Sequence, residues 1–330
     1  MSKHDPIRRQ PSLLERAAEV YDFGAALRRP EGATPASSQA EPGRESEASQ
    51  SSAPRPQRPA PQPVPIRETM APAPRQPGFH VAIDRARLRE NNLIVPEAAV
   101  GMLVEEFRIV KRQLLLSATG GKGVEASPHG RRILVCSANP DEGKTFCAIN
   151  LALALANERD NRVLLVDADF ARPSILPTLG IQDGEEEGET LPGLMDALAD
   201  PARDVESLIL GTDIPGFTLL PSGMRSKSDT EYLASHRTET VFQRLEAADP
   251  HRIVIFDSPP ALAASPASVL ALHAGQVLLV VKADETSEAA LRDAIGLLSG
   301  CDDIKLLLNG TQFSPTGRKF GSYYGNGGQK

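Results

Sequence analysis

The sequence predicts a three-layer α/β sandwich built on a mainly parallel sheet. Within residues 129–312, short apolar runs rich in Val, Ile and Leu alternate with stretches of helical periodicity. Near-continuous apolar strands separated by helices are typical of a parallel sheet that helices cover on both faces. One of these runs also leads through a glycine-containing turn into a helix, which is the local arrangement of a phosphate-binding loop.

The first 78 residues predict a largely disordered extension. Of the 28 prolines, 14 lie in residues 1–80, where long apolar runs are missing. Such a segment buries too little apolar surface to offset the conformational entropy lost on folding. The exception is a short amphipathic helix near residues 12–27, with Ser12 at the N-cap and Glu15 at the capping-box position. Two interpretations stay open for it: a transient helix without a partner, or a docking helix.

Residues 79–128 predict an N-terminal segment with one helix over residues 97–116, where apolar residues recur at helical spacing. The domain that follows, residues 129–312, contains six predicted strands and four predicted helices. The strands are predicted over 133–137, 163–166, 217–220, 253–256, 277–281 and 304–308, and the helices over 145–158, 229–247, 265–273 and 286–298. An acidic stretch at 182–190 predicts an exposed loop, and the Gly-rich residues 313–330 predict a flexible tail.

Bulk composition disfavours several classes of protein. A net charge of −7 and a pI near 5.5 give no sign of the basic surface that binds nucleic acid. The three cysteines are widely spaced, so we expect buried thiols in a reducing cytosol, with no disulfide framework or zinc site. The start lacks the apolar core of a signal peptide, and no run of 18 apolar residues occurs. These features predict a cytoplasmic protein that reaches a membrane through a partner or by surface attachment.

Residues 137–145, which read SANPDEGKT, predict a nucleoside-triphosphate site and hence a P-loop NTPase fold. Backbone N–H groups and the helix N-terminus face the anion, Lys144 reaches the β- and γ-phosphates, and the Thr145 hydroxyl ligates Mg²⁺. Ala138 stands where the usual pattern has its first glycine. The expected cofactors are ATP and Mg²⁺. The predicted nucleotide-binding residues are Asn139, Pro140, Asp141, Glu142, Gly143, Lys144, Thr145 and Phe146.

Three carboxylates are predicted to join this loop. Asp257 ends an apolar strand, as a magnesium-binding carboxylate of such sites does. Asp167 and Asp169 follow another strand two residues apart, and alternation along a strand turns them to the same side. One acid can complete the metal shell while the other accepts the proton of an incoming hydroxyl, as kinase chemistry requires. The alternative is that one of the pair only caps the following turn.

The predicted tail contains a candidate acceptor for that proton transfer. Tyr323 and Tyr324 are two of the four tyrosines of the chain, and they lie side by side in a Gly-rich segment. Tails contain aromatic residues by chance, so this pattern is weak on its own. A flexible tail can, however, carry a phenol into a phosphoryl-transfer site that a tyrosine on a folded surface could not enter.

Together these motifs resemble those of the bacterial tyrosine autokinases of exopolysaccharide and capsule synthesis, in particular the stand-alone cytoplasmic type associated with exosortase loci. The resemblance covers residues 79–330 and includes five ordered landmarks. They are the loop at 137–145, the acidic box at 167–173, LPSG at 220–223, DSPP at 257–260 and the Tyr-Tyr tail.

The resemblance implies a non-specific protein-tyrosine kinase in which Asp167 contacts the acceptor hydroxyl, Asp169, Asp257 and Thr145 organise Mg²⁺, and Lys144 stabilises the transferred charge. It implies that the tail of one subunit is phosphorylated in the site of another. It also implies a separate membrane-spanning activator of polysaccharide export, which holds the protein at the inner face of the plasma membrane.

In the same family a Glu-x-x-Arg-x-x-Arg helix mediates ring assembly. Glu105, Arg108 and Lys111 occupy these positions, with Lys in place of the last Arg. Because an ammonium group lacks the planar fork of a guanidinium, either a ring or a smaller oligomer is compatible with this change.

Two other functions stay open at the level of sequence. Partitioning ATPases of the Min/Par type have a similar pattern of strands and helices, but they carry a signature Lys where this chain has Asn139. A nucleotide-gated scaffold of polysaccharide export, without kinase activity, would keep the phosphate loop and leave the tyrosines as bystanders.

Overall fold

Eight strands form one mixed sheet in the part of the chain that the structure describes. The computed structural model describes residues 79–311, apart from 122, 124, 159, 183–189 and 226–227. The predicted extension with its helix, the tail with Tyr323 and Tyr324, and most of the acidic stretch lie outside the described residues. No helix within the described ranges is both long and apolar enough to cross a bilayer.

The order of the strands across the sheet is β1-β4-β5-β3-β6-β2-β7-β8. Neighbours are parallel except for β4 and β5, which pair antiparallel. The strands are β1 (Phe79–Val81), β2 (Arg132–Ser137), β3 (Arg162–Asp167), β4 (Leu210–Thr212), β5 (Phe217–Leu220), β6 (Arg252–Asp257), β7 (Gln276–Lys282) and β8 (Ile304–Asn309).

Helices cover both faces of this sheet. They are α1 (Arg85–Glu90), α2 (Met102–Thr119), α3 (Lys144–Ala156), α4 (Ile175–Thr178), α5 (Leu194–Ala199), α6 (Asp229–Leu233), α7 (His236–Ala247), α8 (Pro266–Ala271) and α9 (Glu288–Leu297). A short 3₁₀ helix spans Val205–Leu208.

The strands in the middle of the sheet are buried on both sides, which explains their near-continuous apolar sequence. On β2, Ile133 and Val135 join the core beneath α2 and α3. Leu134 and Cys136 join a second core, which also contains residues of α5, α7 and α8. Successive side chains of a strand point to opposite faces, so both cores draw on one apolar run. The predicted three-layer α/β fold with a mainly parallel sheet is confirmed.

Some elements differ from their predicted bounds for local reasons. The predicted helix over 229–247 is divided, because Ser235 is extended (φ −80°, ψ 156°) and forms the N-cap of α7. The helix predicted over 97–116 begins later, at Met102, after the extended Gly101. β1 and β4 have only three residues each and pair with one another at one end of the sheet. Residues 79–119 therefore add a strand and two helices to the same fold.

The topology brings three strand ends together. β6 lies between β3 and β2, and all three run parallel, so their carboxyl ends meet at one edge of the sheet. Asp167 of β3 and Asp257 of β6 are direct partners in register. Ligands of open α/β sheets bind outside the carboxyl ends of the strands.

Candidate functional site

The loop between β2 and α3 has the backbone of a phosphate-binding loop. Gly143 lies in the left-handed region (φ +92°) and forms the N-cap of α3, which begins at Lys144. This conformation favours glycine, and a Cβ at this position would lie 2.2 Å from Nδ2 of Asn309, which would have to shift. Ala138, in place of the usual first glycine, packs its methyl group into the core, where it is 1% exposed.

Glu142 holds this loop from the inside. Its carboxylate accepts hydrogen bonds from the backbone N–H of Asn139 (3.0 Å), from the amide Nδ2 of Asn139 (3.0 Å) and from Oγ1 of Thr286 (2.7 Å). The carbonyl oxygen of Glu142 accepts a bond from Nδ2 of Asn309 at 2.9 Å. Buried carboxylates with several donors are strongly oriented, so Glu142, Thr286 and Asn309 fix the shape of the loop.

A cleft of about 490 Å³ lies against the loop at the carboxyl edge of the sheet. The predicted nucleotide-binding residues that line it are Pro140, Asp141, Gly143, Lys144, Thr145 and Phe146, together with Asp169. Asn139 and Glu142 do not line the cleft, because their side chains bind each other within the loop. Asp257 and Asp167 lie outside the cleft lining as well, and both are buried.

Lys144 and Asp169 both line the cleft and form an ion pair there. The ammonium Nζ donates to Oδ2 of Asp169 at 2.9 Å. Burial alone would lower the pKa of Lys144, but the charges of Asp257 and Asp169 outweigh it and raise the pKa. Lys144 is therefore held as a cation at the position where a phosphate chain would lie.

Asp257 forms the floor of the site. Its Oδ2 accepts a hydrogen bond of 2.6 Å from Oγ1 of Thr145, which also lies 3.1 Å from Oγ of Ser174. Its Oδ1 is buried and has no hydrogen-bond partner among the described residues. Complete burial raises the pKa of Asp257 to about 7, although the charge of Lys144 opposes this. A buried carboxylate oxygen without a donor is an open ligand position.

The donor set at this edge fits Mg²⁺. The carboxyl groups of Asp167, Asp169 and Asp257 lie close enough to the ammonium group of Lys144 to raise its pKa. Mg²⁺ binds through one or two carboxylates plus phosphate oxygens and waters, and needs no cage made wholly of protein. The described residues contain no group of three or more His, Cys, Asp or Glu able to hold a metal ion.

Asp167 has a different environment from the other two acids. Its Oδ1 accepts from the N–H of Asp169 (3.2 Å), and its Oδ2 from the N–H groups of Ser174 (2.9 Å) and Ile175 (3.1 Å). Asp167 therefore makes the contacts of an acid that caps the following turn, which was the predicted alternative for one of the pair. A carboxylate offers about four acceptor positions, so one stays open on Oδ1. Burial raises the pKa of Asp167 to about 6, against the effect of these bonds.

The segment after β6 forms the far wall of the cleft. Pro259, Pro260, Ala263 and Ala264 line it. The segment is attached to the phosphate loop, because the N–H of Ala261 donates to the carbonyl of Ser137 (2.8 Å) and the next N–H donates to Ala138 (3.1 Å). The two halves of the cleft are thus hydrogen-bonded to each other.

Several residues of the site were missed by sequence reasoning. Arg172 and Ser174 line the cleft, and Thr286 and Asn309 support the loop. Arg172 carries a usable signal, since it is a cation within the acidic box at 167–173. Thr286 and Asn309 have no special spacing, and only the fold brings them to the loop.

The residues predicted for self-association lie on α2. Arg108 and Glu105 form an ion pair on its surface. Lys111 turns towards its own domain: its Nζ donates to the carbonyl of Ala154 (2.9 Å) and pairs with Glu158 (2.7 Å) at the end of α3. Cations are favoured at helix C-termini, so Lys111 stabilises α3 within the chain.

The cysteines are buried thiols, as expected. Burial raises the pKa of Cys136 to about 11 and that of Cys147 to about 12. Neither thiol is therefore ionised at neutral pH.

The fold and the loop define a P-loop nucleotide-binding protein. Residues 131–308 match the model of the family described as AAA domain. The chain belongs to this family.

Curated relatives extend the match. Tyrosine-protein kinase YwqD of Bacillus subtilis (strain 168) is 25% identical over 233 residues, which cover 70% of this chain and 91% of that protein. Tyrosine-protein kinase ptk of Acinetobacter johnsonii is 27% identical over 161 residues, covering 49% of this chain and 20% of that protein. The chain thus spans about a fifth of the length of several relatives that it matches.

A solved structure supports the same architecture. The kinase domain of Escherichia coli tyrosine kinase ETK superposes with a TM-score of 0.53 at 23% identity, over 72% of this chain and 94% of that domain. At this identity the match shows a common fold.

Proposed function

We propose that the chain is an ATP-dependent protein-tyrosine autokinase that phosphorylates Tyr323 and Tyr324 of a second copy. The observation that carries this proposal is the division of the carboxylates. Asp169 lines the nucleotide cleft, whereas Asp167 lines a separate cavity beside it and keeps one open acceptor position. A carboxylate outside the nucleotide cleft can accept the proton of an acceptor hydroxyl. The relatives named as tyrosine-protein kinases support the same activity.

The reaction assigns one task to each charged group. The phenol oxygen of the acceptor attacks the γ-phosphorus of ATP, a new O–P bond forms, and the bond from that phosphorus to the bridging oxygen breaks to release ADP. The phenol proton passes to Oδ1 of Asp167. Lys144 stabilises the negative charge on the transferred group. Thr145, Asp257 and Asp169 would hold Mg²⁺, which would supply neutralisation of the phosphate charge there.

The length of the tail is compatible with reaction between copies. Tyr323 follows Asn309, the last residue of β8, by 14 positions. An extended chain spans at most ~3.5 Å per residue, so the phenol can lie up to about 50 Å from the end of β8. This reach is compatible with entry into the site of an adjacent copy.

Assembly and location complete the proposal. Glu105 and Arg108 are accessible on α2 for contacts between copies in a ring or a smaller oligomer, whereas Lys111 is engaged within its own domain. We expect a separate membrane-spanning activator of polysaccharide export to bind the protein at the inner face of the plasma membrane. The proposed role is regulation of exopolysaccharide polymerisation and export.

The test is phosphate incorporation by the full-length protein. Wild type with Mg-ATP and the activator fragment is expected to gain one or two phosphates of 80 Da on the tail, measured by intact mass and peptide mapping. Lys144→Ala and Asp167→Asn should each lower the rate at least about a thousandfold, because each removes a group that acts on the transferring phosphoryl or its acceptor.

Two controls separate the alternatives. A mixture of Lys144→Ala protein with Tyr323→Phe/Tyr324→Phe protein should become phosphorylated on the former, which shows transfer between copies. Wild type that binds ATP but stays unphosphorylated with its activator would contradict the kinase and leave the nucleotide-gated scaffold.

A further inference from the structure

The outer side of β8 is an exposed apolar edge of the sheet. β8 is last in the strand order, so no described strand pairs with its outer side. On this strand Leu306 and Leu308 are 54% and 59% exposed. Their partners in register on β7 are Leu279 and Val281, and Leu279 belongs to the core that α9 also joins. Proteins usually cover or charge an apolar sheet edge of this kind.

The backbone groups of the two leucines point outward as well. The carbonyls of Asp303 and Asn309 accept hydrogen bonds from backbone N–H groups of Val277 (2.8 Å) and of the residue after β7 (2.9 Å). Since the backbone groups of alternate residues face the same neighbour, those of Leu306 and Leu308 face away from β7. The side chains and backbone groups of Leu306 and Leu308 together form what we call the edge patch. It offers what an added strand needs, namely apolar contacts and hydrogen-bonding groups.

The chain leaves the sheet directly beside the edge patch. Gly310 follows the last residue of β8 with a φ of +68°, where the chain bends. Residues 312–330 come next and lie outside the described range. Four residues separate Leu308 from Phe313, which is within the usual length of a hairpin loop. The first aromatic residue of the tail can therefore return to the edge that the chain has just left.

The charges of the tail and of its surroundings are complementary. Residues 312–330 contain three basic side chains and no acidic one. Between residues 282 and 309 the three basic side chains are each paired with an acid of the same segment. Asp284, Asp293 and Asp302 are exposed there and form no ion pair with a described residue. The region of α9 and β8 thus has three carboxylates to offer a basic segment.

We propose that residues 312–319 dock on the edge patch of their own domain, with Phe313 over the two leucines and Arg318 and Lys319 beside the free acids. The docked segment runs antiparallel to β8. Its backbone pairing ends at Pro315, which has no N–H to donate.

Docking would regulate the proposed kinase, and this step rests on the proposed function. β8 is parallel to β7, and β7 to β2, so β8 ends at the edge of the sheet where the nucleotide cleft lies. A segment that returns along β8 leads away from that cleft. Tyr323 follows Phe313 by ten positions, so anchoring at Phe313 shortens the reach of the phenol from about 50 Å to about 35 Å. The docked tail is the resting state, and its release frees the tyrosines for an adjacent copy.

The test measures docking without any phosphate transfer. Hydrogen–deuterium exchange of the full-length protein is read at single residues in the absence of nucleotide. The amides of Leu306 and Leu308 are expected to exchange about tenfold more slowly in wild type than in Phe313→Ser, because the variant loses the buried ring. The amide of Leu307 faces β7 and should exchange equally in both proteins, which makes it an internal reference.

A second variant of the tail provides the matched control. Phe320→Ser makes the same change at the other phenylalanine of residues 312–330, outside the docked segment, and should leave both amides as in wild type. With Mg-ATP and the activator fragment, Phe313→Ser should gain phosphate about threefold faster than wild type, and Phe320→Ser at the wild-type rate. A fluorescent ATP analogue should bind both variants as it binds wild type, which shows that they are folded.

Each outcome decides one part of the proposal. Equal exchange of Leu306 and Leu308 in wild type and Phe313→Ser overturns docking of the tail. Slow exchange that persists in Phe313→Ser and increases with protein concentration assigns the edge patch to a second copy and also overturns it. Docking with an unaltered rate of phosphorylation overturns the regulatory role. Docking in a protein that never gains phosphate retains the docked tail and removes the kinase.

Discussion

At the carboxyl ends of the strands, three buried carboxylates face the single ammonium group of Lys144, whereas at the amino ends each buried guanidinium has its own carboxylate. Arg252, the first residue of β6, binds Glu206 through two hydrogen bonds of 2.6 and 3.1 Å. Arg132, the first residue of β2, is 1% exposed and binds both Glu239 and Glu246.

The pKa values reflect this difference. Burial raises the pKa of Asp257 to about 7 and that of Asp167 to about 6. At the other end burial would also raise the pKa of Glu239, but hydrogen bonds from His273 and Gln243 and the charge of Arg132 lower it to about 2. The buried charges at the amino ends are paired with partners of opposite charge, whereas the acids at the carboxyl ends have pKa values raised by burial, as acids of functional sites often have. The comparison therefore distinguishes the paired charges at the amino ends from the carboxylates of the proposed site.

The largest effect on stability is expected from removing one of the paired buried charges at the amino ends of the strands. Arg132→Ala removes the buried guanidinium that binds Glu239 and Glu246, although Arg131 still pairs with Glu246, and should lower the free energy of unfolding by about 3 kcal/mol. Urea denaturation measures this change. Arg292→Ala removes an exposed pair with Glu288 and should cost less than about 1 kcal/mol. Equal losses in the two variants would contradict the structural role of Arg132.

A smaller effect is expected at the phosphate loop. Asn309→Ala removes the hydrogen bond to the carbonyl of Glu142, worth about 1 kcal/mol, and should weaken binding of a fluorescent ATP analogue about fivefold. Thr286→Val removes the bond to the carboxylate of Glu142 and should act in the same direction. Ser299→Ala, in a hydrogen bond with the carbonyl of Gly296 on the surface, is the control. Unaltered nucleotide affinity in the first two variants would show that the loop keeps its shape alone.

The smallest effect concerns pH. The folded pKa of Glu239 lies below its ordinary value of 4.5, so its ionised form stabilises the protein above about pH 4.5, and this contribution is lost as pH falls towards 2. Glu239→Gln should therefore be less stable than wild type at pH 7, by about 1 kcal/mol after solvent screening. The difference should shrink between pH 4.5 and pH 3, as urea titrations at each pH measure. A constant difference across this range would contradict the linkage.

Much of the fold was predictable because its signals are local. Six apolar runs are long enough to be recognised as strands, and all six are strands of the sheet. β1 and β4, with three residues each, are too short to show periodicity, and their pairing depends on contact between residues more than 100 positions apart. The break at Ser235 was hidden by the helical pattern on both sides of it.

The site residues were predictable where they follow the end of a predicted strand or belong to the phosphate loop. Lys144, Thr145, Asp169 and Asp257 were expected together, and the structure brings them together. The different environment of Asp167 was not predictable from alternation along β3, because β3 ends at that residue and the chain then turns. The hydrogen bonds of Leu194 and Met195 in α5 to Pro221 and Ser222 in the loop after β5 were not predictable either, because no local pattern reveals them.

Asn309, at the end of β8, also makes a contact with the distant phosphate loop. The phosphate-loop motif lies near the middle of the chain, but a residue 166 positions later lies against its glycine and donates to the carbonyl beside it. A chain cut before Asn309 would retain every residue of the motif and lose one of its supports. Asn309, the last residue of β8, is therefore part of the support of the phosphate loop.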